Sequence, residues 1–184
     1  MRHFLVVVDM QKDFVDHALG TAEAVEIVPA VAEKIRQYRA RGDMIIATRD
    51  THQENYLNTQ EGKYLPVIHC VKGTEGWELD DRIAEALGPD ALILDKPTFG
   101  STELVKIMGE LAAEHGEENV NTEIVGLCTD ICVVSNALLL KAYYHEMPIS
   151  LDAGCCAGVT PEKHLAALET MASCQIQITN RCRL

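Results

Sequence analysis

The sequence predicts an α/β fold in which a mainly parallel central sheet is covered by helices on both faces. Two observations carry this. Short apolar runs alternate along the whole chain with longer amphipathic segments, strand then helix. The runs are continuously apolar, as in Phe4–Val8 and Ile124–Leu127, which marks strands buried on both faces. No repeat, linker or low-complexity tract breaks the order, so residues 1–184 are read as one domain.

The elements follow in order. Phe4–Val8 reads as a strand ending at Asp9. Val25–Arg41 reads as a helix, because Val28, Val31, Ala32 and Ile35 fall on one stripe and Gly42 can close it. Met44–Ala47 is a second strand, ending just before Asp50. Thr51 to Gly76 has no period, contains Gly62, Pro66 and Gly73, and reads as a long functional loop. A short helix over Leu79–Leu87 and a strand over Ala91–Leu94 follow, then Lys96. Thr102–His115 is helical, with Leu104, Ile107, Met108 and Leu111 on one face. After Ile124–Leu127 comes a helix over Ile131–Tyr144, then a strand over Met147–Leu151 closed by Asp152 and Gly154. Thr160 and Pro161 suit the N-cap and first turn of a last helix. Ile176 and Ile178 suit a final, more exposed strand.

The net charge of −12, with no run of lysines or arginines, argues against a nucleic-acid partner and against an anionic membrane surface. No segment approaches the roughly 20 apolar residues that span a bilayer, and the first residues lack the pattern of a signal peptide, so a cytoplasmic location is expected. The seven cysteines (Cys70, Cys128, Cys132, Cys155, Cys156, Cys174 and Cys182) form no regular framework and are expected to be mostly reduced thiols. Neither a GxGxxG nor a GxxxxGK[ST] motif supports nucleotide binding.

Cys132 is set apart by position. Thr129 and Asp130 suit a helix N-cap after a strand, which places Cys132 in the first turn of the following helix. Free N–H groups there stabilise a thiolate or an oxyanion. In an open parallel sheet, ligands bind beyond the carboxyl ends of the strands. Asp9, Asp50, Lys96 and Cys132 all follow predicted strands and would meet at that edge. Taken singly, each is as well explained by a loop or core position; their coincidence favours a site. Cys132 would be the nucleophile, Asp9 would accept its proton, and Lys96 would lower the thiol pKa and keep Asp9 ionised. Backbone N–H groups of the Cys128–Cys132 turn would hold an oxyanion. Gln11 suits either a substrate contact or a loop-capping amide.

A second constellation is Asp50, His52 and His69. Mixed imidazole and carboxylate ligands suit Zn, Fe or Mn, although two loop histidines are often only surface residues. Glu54 and Glu61 lie in the same loop and offer a further oxygen, while Cys70 beside His69 is better explained by packing. His3, His17, His115, His145 and His164 have no partner at a recognisable spacing and are read as surface or capping residues.

VVDMQKDF at 7 to 14, Lys96 and GLCTDICV at 126 to 133 together resemble the isochorismatase-like cysteine hydrolases. RDTHQENY at 49 to 56 and HCVKGTEGWEL at 69 to 79 are similar to the nicotinamidase branch. The resemblance implies a doubly wound sheet and a triad of Asp9, Lys96 and Cys132. It also implies a cis peptide at Leu127–Cys128 that directs the Cys128 N–H, beside that of Cys132, toward an oxyanion. It further implies one divalent metal, Zn foremost with Fe or Mn as alternatives, on Asp50, His52 and His69. Glu61 is the candidate for the remaining place. The reaction implied is hydrolysis of nicotinamide to nicotinate and ammonia through a thioester, with pyrazinamide also accepted. The ring nitrogen would sit on the metal. Phe14 matches an aromatic of the ring pocket, with Leu65 and Trp77 as further candidates. The segment after Lys96 lacks the tyrosine or histidine that nicotinamidases often carry there. Members of the family commonly self-associate, so a homo-oligomer is expected. Two alternatives stay open: a sister amidase acting on another small amide, and a non-catalytic domain that keeps the scaffold.

Overall fold

The structure, a computed structural model, describes residues 2–181, so Cys182 lies outside the described residues. The strands are β1 (Arg2–Val8), β2 (Met44–Asp50), β3 (Leu92–Lys96), β4 (Val120–Leu127), β5 (Ile149–Ala157) and β6 (Gln177–Thr179). They form one sheet in the order β3-β2-β1-β4-β5-β6, parallel at every pairing. The helices are α1 (Lys12–Val15), α2 (Ala22–Arg41), α3 (Gln60–Tyr64), α4 (Asp81–Leu87), α5 (Thr102–His115), α6 (Val134–Tyr143) and α7 (Pro161–Ser173). No helix among the described residues is long and apolar enough to cross a membrane.

Successive residues of a strand point to opposite faces, and the sheet is covered accordingly. Phe4, Val6 and Val8 pack with Leu104 and Met108 of α5, Leu140 of α6 and Leu168 of α7. Leu5 and Val7 pack with Val28, Val31 and Ile35 of α2 and Ile83 of α4. The sheet order reverses direction between β1 and β4, and the chain leaves both strands at that crevice. The two strands approach closely there: a Cβ on Gly126 (φ +119°) would lie 2.1 Å from the Val8 carbonyl oxygen, so only glycine fits.

Several expectations hold in detail. Gly42 ends α2 in the left-handed region, while the helix starts at Ala22 and not Val25, because Thr21 caps it by accepting from the Ala24 N–H at 3.0 Å. Thr160 caps α7, with Pro161 in its first turn. Every strand differs from expectation by some residues at one or both ends; β2 and β3 run on to include Asp50 and Lys96, and the largest differences are at β4 and β5. β4 starts at Val120, because Thr122 is buried and Glu123 is engaged by Lys34 and Tyr38. β5 runs through Asp152 to Ala157, because the Asp152 carboxylate pairs with Lys34 at 2.7 Å and does not end the strand. Ile176 is buried just ahead of β6. The Thr51–Gly76 segment is not structureless: α3 and two 3-10 turns, Tyr56–Asn58 and Glu75–Trp77, order it around the buried Tyr56 ring.

Candidate active site

Four strand ends deliver the site. Asp9 follows β1 with φ +47°, an unusual conformation that aspartate tolerates better than most residues. Its carboxylate accepts from the Thr48 hydroxyl at 2.7 Å and lies 2.7 Å from the Lys96 ammonium, at the end of β3. The same ammonium is 3.5 Å from the Cys132 sulfur, 3.5 Å from the Asp50 carboxylate, and donates to the Thr98 carbonyl at 3.0 Å. Asp9, Lys96 and Cys132 are all buried.

Burial pushes the Cys132 thiol well up, and the nearby Asp9 charge adds to this; Lys96 opposes both and does not prevail. Lys96 thus lowers the thiol pKa as expected, but burial and the Asp9 charge outweigh it and the net shift is upward. The ammonium is held closer to Asp9, at 2.7 Å, than to the sulfur, at 3.5 Å. Burial also raises Asp9, with Lys96 opposing. A carboxylate with a raised pKa is a stronger base, suited to taking the thiol proton.

Cys132 does not sit in an ordinary first helical turn. Residues Thr129–Val133 form a π-helical turn, with the Val133 N–H donating to the Cys128 carbonyl at 3.1 Å, and α6 follows it. Such turns are frequent at functional sites. Neither Thr129 nor Asp130 caps. Thr129 bonds the His164 ring nitrogen Nδ1 at 2.8 Å, and Asp130 accepts from the Val159 N–H at 2.9 Å. The Leu127–Cys128 peptide is cis, and the Cys128 N–H makes no hydrogen bond among the described residues.

Asp50, His52, Glu61 and His69 each place a ligand-type atom within 4.8 Å of the others. His52 Nε2 is 3.0 Å from Asp50 Oδ2 and 3.6 Å from Glu61 Oε1, and His69 Nε2 is 3.6 Å from Asp50 Oδ2. Ligands of one tetrahedral ion at about 2.1 Å would be about 3.4 Å apart, so the spacing fits. Two further features fit. His52 Nε2 is buried without a hydrogen-bond partner. His69 donates Nδ1–H to the Val67 carbonyl at 2.8 Å, which leaves Nε2 as a lone pair facing the cluster. Burial alone would raise Asp50, yet the His52 and His69 rings beside it and the Lys96 charge hold it far below the usual carboxylate range. Glu54 stays exposed and outside the cluster. Cys70 is buried behind it, its N–H donating to the Asp13 carboxylate at 2.7 Å and its thiol pushed up by burial.

A cavity of about 260 Å³ joins the two constellations, with Asp50, Glu61, His69 and Cys132 on one side. Its other walls are mainly apolar and include Phe14, Leu65, Phe99, Leu127 and Ile131.

The isochorismatase domain model matches residues 3–181. The chain belongs to the isochorismatase family. A nicotinamidase of Schizosaccharomyces pombe is 26% identical over 95% of this chain and 91% of its own. The pyrazinamidase of Pyrococcus horikoshii, solved in complex with zinc, is 34% identical, with a TM-score of 0.79 over 97% of this chain and 99% of that one. The N-carbamoylsarcosine amidase of Thermoplasma acidophilum shares the fold with a TM-score of 0.76 over 100% of this chain and 99% of that one, at 22% identity.

Within this isochorismatase-family fold, Asp9, Lys96, Cys132, Asp50, His52, His69, Glu61, Phe14 and Leu65 gather around one cavity or directly behind it. Trp77 does not line it. Its indole N–H donates to Thr51 at 2.9 Å and its ring stacks under Arg49, so it braces the end of β2. Gln11 is the loop-capping amide: it donates to the Asp50 and Trp77 carbonyls and accepts from the Asp50 N–H, all within 2.8 Å. Asn136 has no role in the sequence reading. It donates to the carbonyls of Cys132 at 2.8 Å and Phe99 at 3.2 Å, and accepts from the Ser101 N–H at 2.9 Å. His164 is neither surface nor cap but 2% exposed. It falls on the same buried stripe as Ala167, Leu168 and Met171, and that spacing is the sequence signal for its burial.

Proposed function

We propose that this protein is a metal-dependent cysteine amidohydrolase that converts nicotinamide to nicotinate and ammonia, and that it also accepts pyrazinamide. The observation that carries the reading is one ammonium, Lys96, lying 2.7 Å from Asp9, 3.5 Å from Cys132 and 3.5 Å from Asp50 of the ligand cluster. It links a nucleophile and base to a cluster suited to a divalent cation at the wall of a single cavity. The relatives that carry the nicotinamidase and pyrazinamidase names support the choice of a ring carboxamide.

In this reading the Cys132 sulfur attacks the carboxamide carbon as its proton passes to Asp9. The N–H groups of Cys128 and Cys132 hold the oxyanion. Collapse breaks the C–N bond, and the proton on Asp9 goes to the departing nitrogen, which leaves as ammonia. Water then attacks the thioester, Asp9 takes its proton, and the sulfur recovers it as the carboxylate product leaves. Lys96 stays charged throughout and keeps Asp9 ionised between steps. Asp50, His52, Glu61 and His69 would hold the ion, zinc being the first choice, and when bound it supplies a positive anchor for the ring nitrogen. Phe14, Leu65, Leu127 and Ile131 exclude water from the ring.

The test is ammonia release from nicotinamide, pyrazinamide and a non-ring carbamoyl compound, before and after chelation and with Zn, Mn or Fe restored. Metal-restored release from the two ring amides is expected. Release confined to the non-ring compound would transfer the assignment to a sister amidase.

A further inference from the structure

We infer that His164 is a positioning residue for the nucleophile turn, acting through Thr129. The inference rests on the reading of Cys132 as the nucleophile. His164 lies on α7, and among the described residues no hydrogen bond or ion pair joins it to Asp9, Lys96 or Cys132.

Three observations carry it. First, the His164 ring is 2% exposed and makes one hydrogen bond, from Nδ1 to the Thr129 hydroxyl at 2.8 Å; its Nε2 is buried without a partner. Leaving a buried nitrogen unsatisfied is unfavourable, and burial pushes the imidazole pKa down accordingly. An apolar side chain on this buried stripe would avoid that cost. The hydrogen bond to Thr129 is the one polar task the ring performs among the described residues.

Second, Thr129 opens the π-helical turn Thr129–Val133, which holds Cys132 and the backbone N–H groups proposed for the oxyanion. Thr129 is itself fully buried. Its hydroxyl is spent on His164 and caps no helix.

Third, the contact extends into a zipped seam. Asp130 Oδ1 accepts from the Val159 N–H at 2.9 Å. A Cβ on Gly158 would lie 2.9 Å from that oxygen and 2.8 Å from the backbone nitrogen of His164, so the segment before α7 is pressed against both the turn and the start of α7. Gly158, Val159 and Lys163 also line the cavity. On the opposite side, Asn136 fixes the Cys132 carbonyl to the Phe99–Ser101 segment. The turn is thus held from two directions, and His164 supplies the buried side-chain hold on the α7 side.

Misplacing reacting groups by about 1 Å can cost on the order of 100-fold in rate while leaving substrate contacts in place. The expected consequence falls on kcat and on thiol reactivity more than on KM. The variants are His164→Leu, which removes the ring nitrogens, His164→Asn, whose side-chain amide can reach Thr129 much as Nδ1 does, and Thr129→Val, which leaves His164 in place. Each is measured for kcat and KM with nicotinamide, for the rate of iodoacetamide labelling at Cys132 read by peptide mass analysis, and for melting temperature. His164→Leu and Thr129→Val are expected to lose roughly ten- to 100-fold in kcat and to slow Cys132 labelling, with KM within about threefold. His164→Asn is expected to recover most of both. Labelling needs no assumption about the substrate, so it separates a failure of this inference from a failure of the nicotinamide assignment. Unchanged kcat and labelling in a folded Thr129→Val protein would overturn it. So would a His164→Asn protein that melts like wild type yet is as impaired as His164→Leu.

Discussion

The Lys96 ammonium lies 2.7 Å from the Asp9 carboxylate, and both groups are shut off from solvent. Among the described residues, Lys96 is the one cation that compensates the buried Asp9 charge, whereas Lys96 itself also has Asp50 and the Thr98 carbonyl. Removing one partner of a buried pair typically costs about 3–5 kcal/mol. Lys96→Met is therefore expected to lose stability together with activity.

Asp9→Asn removes the base while keeping the side-chain shape, and Lys96 retains Asp50 and the Thr98 carbonyl. It is expected to stay folded and to lose about 100- to 10,000-fold in kcat. Ammonia release alongside urea denaturation separates the two variants. An active Asp9→Asn enzyme would remove Asp9 from the proton path.

The ligand cluster makes its own prediction. Asp50→Asn, His52→Ala and His69→Ala should each sharply lower the metal that copurifies with the protein. Glu61→Gln decides the fourth place. Losing a partner behind a metal ligand commonly weakens binding about 10- to 100-fold, and losing a direct ligand should do at least as much. An unchanged metal Kd in Glu61→Gln, by competition with a chromophoric chelator, would exclude Glu61 from the set.

Phe14 lines the cavity with its ring 5.5 Å from that of His69. Phe14→Ala is expected to raise KM for nicotinamide roughly tenfold or more, with a smaller change in kcat. Steady-state kinetics tests this, and a fall in kcat at constant KM would contradict it.

The Lys34 ammonium bridges Asp152 and Glu123, each at 2.7 Å. Burial raises Asp152, but the Lys34 hydrogen bond and charge outweigh it, and the net shift is downward. A depressed folded-state pKa contributes stability above the unfolded value of about 3.9, and that contribution is lost as pH falls through the folded value. Lys34→Met removes the two largest lowering influences on Asp152 and leaves the Asn180 and Gly154 hydrogen bonds to oppose burial, so the downward shift shrinks. The variant is expected to be about 2 kcal/mol less stable at neutral pH, with the deficit shrinking as pH falls toward 4. Urea denaturation across that range gives the measurement.

The strand ends were legible because parallel sheets gather their reactive groups at one edge, so Asp9, Asp50, Lys96 and Cys132 could be grouped from order alone. The ligand cluster was legible through Asp50 and His52, two residues apart, with His69 closing the loop. The supports were not. Asn136 acts across 35 residues on Ser101, and Thr129 across 35 residues on His164. Nothing local in the chain specifies such pairs. Thr129 and Asp130 have the chemistry of helix caps, and tertiary partners outcompeted the local role. Trp77, offered by the resemblance as a further pocket candidate, turns its ring toward Arg49 instead. The lowering influence of Lys96 on the thiol was legible, but the burial and the Asp9 charge that outweigh it were not visible in sequence.

The most direct test compares ammonia release from nicotinamide by the wild-type protein and by Cys132→Ala, at matched metal content. Rapid release by the wild type and loss of at least about 1,000-fold in the variant is the predicted result. Near-normal release by Cys132→Ala with its metal in place would contradict the covalent mechanism.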